Sequence, residues 1–489
     1  MRAIKANLSW VVLIFLITYI PVWYNLDRPS LYIWDEASYA INSLEMAMSG
    51  NWSVLLRDGQ PDLYNTKPPL VIWLQNICIH LFGPTELALR FPSALAALLT
   101  CLAVFFFAKK NLNRWVGILA VAFLTTSKGF IHHHVSRTGD LDSVLVFFIT
   151  AYSLLFFDLL LNRGHKENLK LLLIGLGVFC AFMSKSVAGL MPVLGLFIGI
   201  FFIKNGKTIF HKKYLYLSSG LVLMACAAFY VYKGFVHPGY LEKVWLSEYA
   251  RFTEVTMPWL VQPWYYYFKI MYIKIYSFYI ILLPLTFILF FNKDKTVKNI
   301  FILCALFSGI YIFLISYPHV KLNWYLAPVF PFFSLMLGMF FYEILIYFRN
   351  YFRIKSILWK IAVPFCVLFF LIPYKNIYLQ NADHLPREHQ EREGYAIRKL
   401  SRSHPSFNSY KVLMPVEFPE HADPAKFYIK SLNYFKNYDL KLIGSMDDIL
   451  EGDTVLCAQP YYTRRLKKRF KTITLAKVFE TELMVFEKN

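Results

Sequence analysis

Acidic and basic side chains occur at a few points of a sequence that is otherwise strongly apolar. Four carboxylates, in two short motifs, could take part in proton transfer, and they are Asp35, Glu36, Asp140 and Asp142. A carboxylate within about 3 Å of a hydroxyl group can act as a general base. The cations that could bind a phosphate group are Lys67, Arg251 and Lys321. Together these residue types suit an amphiphilic substrate with an anionic head.

Each motif also has a purely structural interpretation. Asp35 could cap the helix that follows it, and Lys67 could extend its charge to the membrane surface. Arg137 could form an ion pair with Asp140 or Asp142 within a single turn. Three consecutive histidines precede that turn, but neighbouring residues of a helix face different directions, so they do not by themselves predict a metal site.

The composition excludes most classes of soluble protein. Of the 489 residues, 57% are hydrophobic and only 17% are charged, whereas soluble domains carry about 25% charged residues. Most of the apolar runs approach the roughly 20 residues that span a bilayer. The runs are 8–24, 85–108, 115–131, 143–161, 171–183, 188–203, 214–234, 268–291, 300–317, 322–346 and 357–374. The pattern predicts a polytopic α-helical membrane protein with about 11 transmembrane helices.

Basic residues are distributed unevenly among the connections. One set of connections contains 18 lysines and arginines and two acids, and it accounts for +16 of the net charge of +20. The positive-inside rule places this set in the cytoplasm and the longer, mixed-charge loops outside. The charge therefore reflects membrane topology, and nucleic acid is excluded as a partner. All the candidate acids and phosphate ligands fall on the outside, where a lipid substrate could arrive laterally.

Two outside loops are long enough to contribute to a site. The first, about 25–84, has helical spacing at 36–48 and 70–82, and we expect helices that lie in the membrane interface. The other, about 237–267, is rich in tryptophan and tyrosine, which favour the headgroup layer. We therefore predict a transmembrane catalytic domain over 1–374 that includes both loops.

The character of the chain changes after Pro373. Over 375–489, short apolar runs alternate with helix-like polar stretches. A segment of about 115 residues is large enough to form a core. The alternation predicts a small α/β domain, which an odd number of spans places outside the membrane.

Six motifs in order resemble those of the ArnT-like branch of the GT-C glycosyltransferases, the branch related to the protein O-mannosyltransferases. They are Trp34-Asp35-Glu36-Ala37-Ser38-Tyr39-Ala40, Lys67-Pro68-Pro69-Leu70, Glu86 with Arg90-Phe91-Pro92-Ser93-Ala94, Arg137 to Asp142, Glu248 to Phe252 with Pro263-Trp264-Tyr265-Tyr266-Tyr267, and Lys321 with Trp324 to Pro328. Each motif alone is weak, but their order over about 1–350 is a specific signal.

The resemblance implies a GT-C fold with as many as about 13 transmembrane helices. It implies a glycosyltransferase that moves a sugar from a polyprenyl-phosphate carrier to an acceptor, with inversion at the anomeric carbon. The reaction would take place on the extracytoplasmic face of a bacterial plasma membrane. The acceptor could be lipid A, another glycan, a protein or a further lipid.

The resemblance also implies roles for individual residues. Asp35 would be the catalytic base or would orient the acceptor, and Asp142 matches the second acid of the family better than Asp140. The residues implied to contact the donor phosphate are Lys67, Arg251 and Tyr325, with Lys321 and Arg137 as further cations. A divalent cation shared by Asp35, Glu36 and Asp142 is a further option.

A transporter or flippase of a lipid-linked sugar is the alternative function. It predicts ionisable residues inside the spans and symmetry between the two halves of the chain. The main candidate for such a residue is Lys185, which lies at a predicted outside turn between two short apolar runs. A third hypothesis is a structural membrane protein with an exported interaction domain. This hypothesis gives the clustered acids and cations no role.

Overall fold

The structure is a computed structural model that describes residues 2–131, 134–162, 164, 166–250, 258–275, 279–351, 357–383, 385–386, 389–415 and 419–487. Helices make up most of the chain as far as Ala382, and a mixed sheet with further helices follows. The helices of the first part are α1 (Arg2–Thr18), α2 (Asp35–Ser49), α3 (Leu70–Phe82), α4 (Glu86–Asn111), α5 (Arg114–Thr125), α6 (Asp142–Leu161), α7 (Glu167–Lys185), α8 (Val193–Gly199), α9 (Lys213–Val236), α10 (Tyr240–Val244), α11 (Tyr266–Ile270), α12 (Tyr279–Leu282), α13 (Lys295–Ser316), α14 (Phe330–Tyr351) and α15 (Ile357–Ala382).

Among the described residues, six helices are long and apolar enough to cross a membrane. They are Glu86–Asn111, Asp142–Leu161, Glu167–Gly189, Lys213–Val236, Lys295–Ser316 and Asn323–Asn350. Shorter apolar helices of 10–17 residues occur between them and before them. The chain is therefore a multi-pass α-helical membrane protein, as predicted, and the number of about 11 spans stays a prediction.

The apolar run at 268–291 is less regular than a single span. It contains the end of α11, a π-helical turn over Met271–Ile275, α12, and a 3₁₀ helix over Pro284–Phe291. The proline ring removes a backbone N–H and crowds the preceding turn. This explains why α12 ends just before Pro284.

Small residues allow some helices to approach closely. A Cβ atom added to Gly338 of α14 would lie 2.9 Å from the backbone nitrogen of Ala120 and 3.0 Å from the carbonyl oxygen of Val116, both in α5. Membrane helices lack a hydrophobic driving force between them, so close packing through small residues is a main source of their association.

The chain divides into two compact units. The helical unit comprises Met1–Tyr24, Leu63–Val71 and Pro92–Asn381, and the loop–sheet unit comprises Asn25–Asp62, Ile72–Phe91 and Ala382–Asn489. The structure thus groups most of the first predicted outside loop with the C-terminal segment. The predicted division into domains 1–374 and 375–489 stays a prediction.

The loop–sheet unit contains the α/β fold predicted for the C-terminal segment. Its further elements are β1 (Leu56–Arg57), β2 (Gln60–Pro61), α16 (Arg392–Ser403), β3 (Ser409–Leu413), α17 (Asp423–Lys436), β4 (Asp439–Ile443), β5 (Thr454–Cys457), α18 (Pro460–Arg469), β6 (Lys471–Val478) and β7 (Thr481–Glu487). The described strands β3 to β7 form a sheet in the order β4-β3-β5-β7-β6. The first three are parallel, and β7 runs antiparallel to both β5 and β6.

The core of the sheet continues into the loop that precedes it by more than 300 residues. One apolar cluster joins Ile41 and Leu44 of α2 with Phe427 of α17 and Leu456 of β5, and all four are buried. Burying these side chains stabilises the unit by roughly 1.5–3 kcal/mol each. The loop and the sheet therefore share one hydrophobic core.

An ionisable side chain of this unit is buried with no ion pair among the residues that the structure describes. Glu393 of α16 has no exposed surface, and neither carboxylate oxygen has a hydrogen-bond partner on another residue within the described ranges. Burial raises the pKa of Glu393 to about 7, and the nearby charge of Arg392 opposes that rise only in part. The folded protein therefore keeps this carboxyl protonated at a pH where the unfolded chain would ionise it.

We predict that the stability of the protein falls as the pH rises from about 4.5 through about 7, because the folded state binds the Glu393 proton more tightly than the unfolded state. Glu393→Gln should remove this dependence and raise the stability at pH 8 by roughly 3 kcal/mol, with little effect at pH 4.5. Thermal unfolding of the purified wild type and variant across this pH range measures the pH dependence of their stability. The exposed Glu451→Gln variant is the control, and equal behaviour of the two variants would contradict the prediction.

Candidate functional site

The acids of the first loop lie at the start of α2, after a strained residue. Trp34 has φ +73° and ψ −121°, a conformation that a bulky side chain rarely adopts, and Asp35 is the first residue of the helix. Backbone strain of this kind persists only where the surroundings enforce it, and it is concentrated at functional sites. Asp35 is partly exposed, whereas its neighbour Glu36 is buried.

Glu36 is held by a buried arginine of α4. Nε of Arg90 lies 2.7 Å from Oε1 of Glu36, and Nη2 lies 2.9 Å from Oε2. The same oxygen Oε2 also accepts a hydrogen bond of 2.9 Å from the backbone nitrogen of Tyr32. Because both oxygens of Glu36 are engaged, the carboxylate is built into the support of the loop, and the two adjacent acids have different surroundings.

Arg90 also binds the backbone of the loop directly. Its guanidinium donates to the carbonyl oxygens of Leu26, Pro29 and Ser30 at 3.0, 2.8 and 2.9 Å. The residue has no exposed surface. A buried cation of this kind is tolerated only when its donors are satisfied, so the loop has to keep these carbonyl groups turned towards it. Arg90 lies in one of the six motifs, although sequence reasoning gave it no role.

In the helical unit, Asp142 is paired with a residue that the sequence analysis considered only under the transporter alternative. Nζ of Lys185, the last residue of α7, lies 2.8 Å from Oδ1 and 2.6 Å from Oδ2 of Asp142, the first residue of α6. The same nitrogen lies 5.3 Å from the centre of the Tyr325 ring. Lys185 therefore joins two of the predicted site residues. The sequence held one indication of this pairing. A lysine between two apolar segments is energetically costly unless it has an oppositely charged partner.

Asp140 has a different partner on the same turn. Its carboxylate accepts a hydrogen bond from the hydroxyl of Thr138, and Oδ1 lies 3.5 Å from Nδ1 of His134. Burial alone would raise the pKa of Asp140, but His134, Thr138 and the charge of Lys185 outweigh it and hold the pKa below its usual value. Asp140 is therefore ionised at neutral pH. The other two histidines of the triplet lie outside the described residues.

Two of the predicted phosphate ligands bind backbone carbonyl groups. Arg137 donates to the carbonyl oxygens of Pro21, Val22 and Tyr24 at 2.9–3.1 Å. Lys321 is buried and donates to the carbonyl oxygen of Gln262 at 2.9 Å and to that of Pro318. These hydrogen bonds connect separate loops, so both cations stabilise the loop structure. Arg251 lies outside the described residues.

Lys67 ends a chain of hydrogen bonds that the sequence did not predict. Nζ of Lys67 lies 2.8 Å from Oε1 of Glu248, whose Oε2 lies 2.5 Å from the hydroxyl of Ser186. A second hydroxyl, that of Tyr230, lies 2.6 Å from the same oxygen of Ser186. A carboxylate only accepts, so Ser186 donates to Glu248 and must accept from Tyr230. Ser186 follows Lys185 directly and has φ +52° and ψ −133°, another strained conformation.

The shared divalent cation expected from Asp35, Glu36 and Asp142 does not match these contacts. Glu36 has both oxygens on Arg90, and Asp142 has both oxygens on Lys185. A carboxylate that already neutralises a buried cation is a poor metal ligand, because binding the metal would leave that cation without its partner. His134 and Asp140 remain as a pair of the types that bind divalent metals.

The fold is that of the GT-C class of membrane glycosyltransferases. The chain superposes on the crystal structure of ArnT from Cupriavidus metallidurans bound to undecaprenyl phosphate with a TM-score of 0.69, at 15% sequence identity, over 97% of this chain and 98% of that chain. A second solved structure, the archaeal oligosaccharyltransferase AglB from Archaeoglobus fulgidus with an inhibitory peptide and a dolichol-phosphate, gives a TM-score of 0.54 at 12% identity, over 86% of this chain and 63% of that chain.

Sequence comparisons agree with the fold. The family model described as dolichyl-phosphate-mannose-protein mannosyltransferase matches residues 66–232. An undecaprenyl phosphate-alpha-4-amino-4-deoxy-L-arabinose arabinosyl transferase 2 from Proteus mirabilis is 32% identical over 40% of this chain, and one of the same name from Sodalis glossinidius is 28% identical over 43%. The matches span 34% and 37% of the length of these relatives. The resemblance to the ArnT-like branch of the GT-C glycosyltransferases is thus confirmed.

We predict losses of stability of very different size for the two adjacent acids of the first loop. Glu36→Gln should lower the free energy of unfolding by about 3–5 kcal/mol, because Arg90 would stay buried without a counter-ion. Asp35→Asn should cost clearly less, because Asp35 is partly exposed and an acid in the first turn of a helix usually contributes about 0.3–1 kcal/mol. Thermal unfolding of both variants in detergent tests this. Similar losses for the two would show that Glu36 is not the acid that supports the loop.

Proposed function

We propose that this protein is an integral-membrane glycosyltransferase that moves a sugar from a polyprenyl-phosphate carrier to a hydroxyl or phosphate group of an acceptor. The sugar would be transferred with inversion, on the extracytoplasmic face of a bacterial plasma membrane. The acceptor would be lipid A, another glycan or a protein. The relatives named above as arabinosyl transferases support a donor carried on a polyprenyl phosphate.

One observation carries the proposal: Lys67 is a partly exposed cation whose position is fixed by an acid. Its side chain is 20% exposed, and Glu248 is the one hydrogen-bond partner that the described residues offer to Nζ. Two of its three N–H donors are thus available for a phosphate. The carboxylate of Glu248 keeps the ammonium in place, and α3 begins three residues later, with its first N–H groups also suited to an anion.

The chemistry requires one proton acceptor and one stabilised leaving group. The oxygen of the acceptor forms a bond to the anomeric carbon while the bond from that carbon to the phosphate oxygen breaks, and the electron pair leaves with the phosphate. Asp35 takes the proton of the acceptor hydroxyl. Lys67 and Arg251, with the hydroxyl of Tyr325, stabilise the charge that develops on the departing polyprenyl phosphate.

The remaining acids have supporting roles in this scheme. Asp142 neutralises Lys185, which keeps the ammonium beside the ring of Tyr325 and so orients that ring. Glu36 supports the loop through Arg90. For a divalent cation, the donor pair that fits is His134 with Asp140, because an imidazole nitrogen and a carboxylate oxygen lie 3.5 Å apart there.

The first test is turnover of a set of polyprenyl-phosphate sugars by the purified protein and by its Asp35→Asn variant. Release of polyprenyl phosphate by the wild type alone is expected, because the variant lacks the proton acceptor. The donor that reacts identifies the sugar. Full activity of the variant would remove Asp35 from the mechanism. No release from any donor by folded wild type, with an acceptor extract present, would favour transport of a lipid-linked sugar.

A second prediction concerns the phosphate. Lys67→Met should lower kcat/KM for the donor by at least about 100-fold, because a charged donor to the leaving group is lost from a site of low dielectric constant. The matched control is Lys243→Met, the same change at an exposed lysine of α10. Initial rates with the active donor measure both. Equal rates for the two variants would exclude Lys67 as a phosphate ligand.

A further inference from the structure

Five consecutive backbone carbonyl groups of the first loop are bound by two guanidinium groups. Arg90 binds the carbonyl oxygens of residues 26, 29 and 30, and Arg398 binds the two between them. The hydrogen bonds from Arg398 are 2.7 Å to Asp27 and 2.6 Å to Arg28. A loop without regular structure leaves many carbonyl groups without backbone donors, and here the arginine side chains supply donors to these five.

Arg398 belongs to α16, in the C-terminal segment, and it is itself held in place. Its Nε lies 2.9 Å from Oε1 of Glu86, the first residue of α4. Its side chain is 9% exposed. All five N–H donors of an arginine have fixed directions, so one acid on Nε determines where the other nitrogens point.

A tyrosine of α17 extends the same contacts to the next residue of the loop. The hydroxyl of Tyr428 donates to Oε1 of Glu86 at 2.6 Å and accepts the backbone N–H of Leu31 at 3.1 Å. The backbone nitrogen of Ile33 lies 3.4 Å from Oε1 of Glu391, which directly precedes α16. The C-terminal segment thus contacts the loop at four backbone positions between Asp27 and Ile33.

These contacts end one residue before the strained Trp34. A tryptophan at φ +73° returns to a common conformation unless the chain on both sides is fixed. On one side the hydrogen bonds of α2 fix it, and the backbone nitrogen of Ser38 bonds to the carbonyl oxygen of Trp34 at 2.9 Å. On the other side the fixed chain is the segment 26–33.

We propose that Arg398 is a positioning residue for Asp35, and that the C-terminal segment Ala382–Asn489 contributes to the reaction by holding the backbone of 26–34. The inference rests on the proposed function, in which Asp35 is the base. Without Arg398, the carbonyl groups of Asp27 and Arg28 lose their donors, Trp34 relaxes, and Asp35 moves. A displacement of about 1 Å at a reacting group can cost on the order of 100-fold in rate.

The decisive variant is Arg398→Lys in the full-length protein. Lysine keeps the charge beside Glu86, but a single ammonium group cannot reproduce the forked geometry that reaches two carbonyl groups and an acid. We expect kcat to fall by about 10–100-fold while KM for the donor changes by less than about twofold, because the donor contacts are untouched. We also expect amide hydrogen exchange to become at least about tenfold faster in the peptide covering 26–34.

The matched control is Arg402→Lys, the same change one helical turn along α16. Arg402 contacts the same acid, with Nη2 at 3.6 Å from Oε2 of Glu86, but its side chain is 54% exposed and its contact is that of a surface ion pair. Its kcat and its exchange in 26–34 should stay within about twofold of the wild type.

Two results would overturn the inference. The first is equal kcat for the Arg398 and Arg402 variants. The second is faster exchange throughout β3 to β7 together with lower kcat, which would show general destabilisation of the unit. A failure of the proposed function would look different, because full activity of Asp35→Asn would show that Asp35 is not the base. Loss of activity in Asp35→Asn together with unchanged kcat in Arg398→Lys would refute only the positioning role.

Discussion

A buried guanidinium group constrains the backbone conformation of the first loop. Arg90 has no access to solvent, and moving a charged group out of water costs several kcal/mol unless an opposite charge and hydrogen-bond acceptors replace the water. Glu36 supplies the charge, and three carbonyl groups of the loop supply the acceptors. The path of the chain from Leu26 to Glu36 therefore has to satisfy Arg90, and Arg398 and Tyr428 bind the backbone positions that Arg90 does not. The strained backbone at Trp34 and the start of α2 at Asp35 follow from that path.

Local elements were predictable because the pattern that encodes them is local. The helical spacing at 36–48 and 70–82 corresponds to α2 (Asp35–Ser49) and α3 (Leu70–Phe82), and the short apolar runs after Pro373 correspond to β3 to β7. Hydrophobic periodicity reports which face of an element is buried, but not which distant element covers it. For that reason the sequence predicted an α/β segment with its own core, and did not predict that Ile41 and Leu44 of α2 belong to that core.

The pairing of the charged residues could not be predicted from the sequence, for a related reason. Glu36 and Arg90 are 54 residues apart, and Lys185 and Asp142 are 43 apart. From the sequence, the members of such pairs can be recognised only as charged residues in apolar surroundings, where a charge without a partner is energetically costly. Identifying the partner needs the fold, because each pair forms where two elements meet. The same limit applies to Arg137 and Lys321, since the sequence could not show that they contact backbone carbonyl groups, and their role as phosphate ligands stays a prediction.

The pairing of Lys67 with Glu248 also bears on selectivity among lipids. The pair has no net charge, so the headgroups of ordinary anionic membrane lipids gain little by approaching it. A phosphate that binds there shares the ammonium with a carboxylate already 2.8 Å from it, so the net electrostatic attraction of the pair for the phosphate is small. Under the proposed function, occupancy then depends on the other contacts of the donor, which are those of its sugar and its isoprenoid chain. A neutralised lysine in this position discriminates by the whole shape of a lipid rather than by its charge.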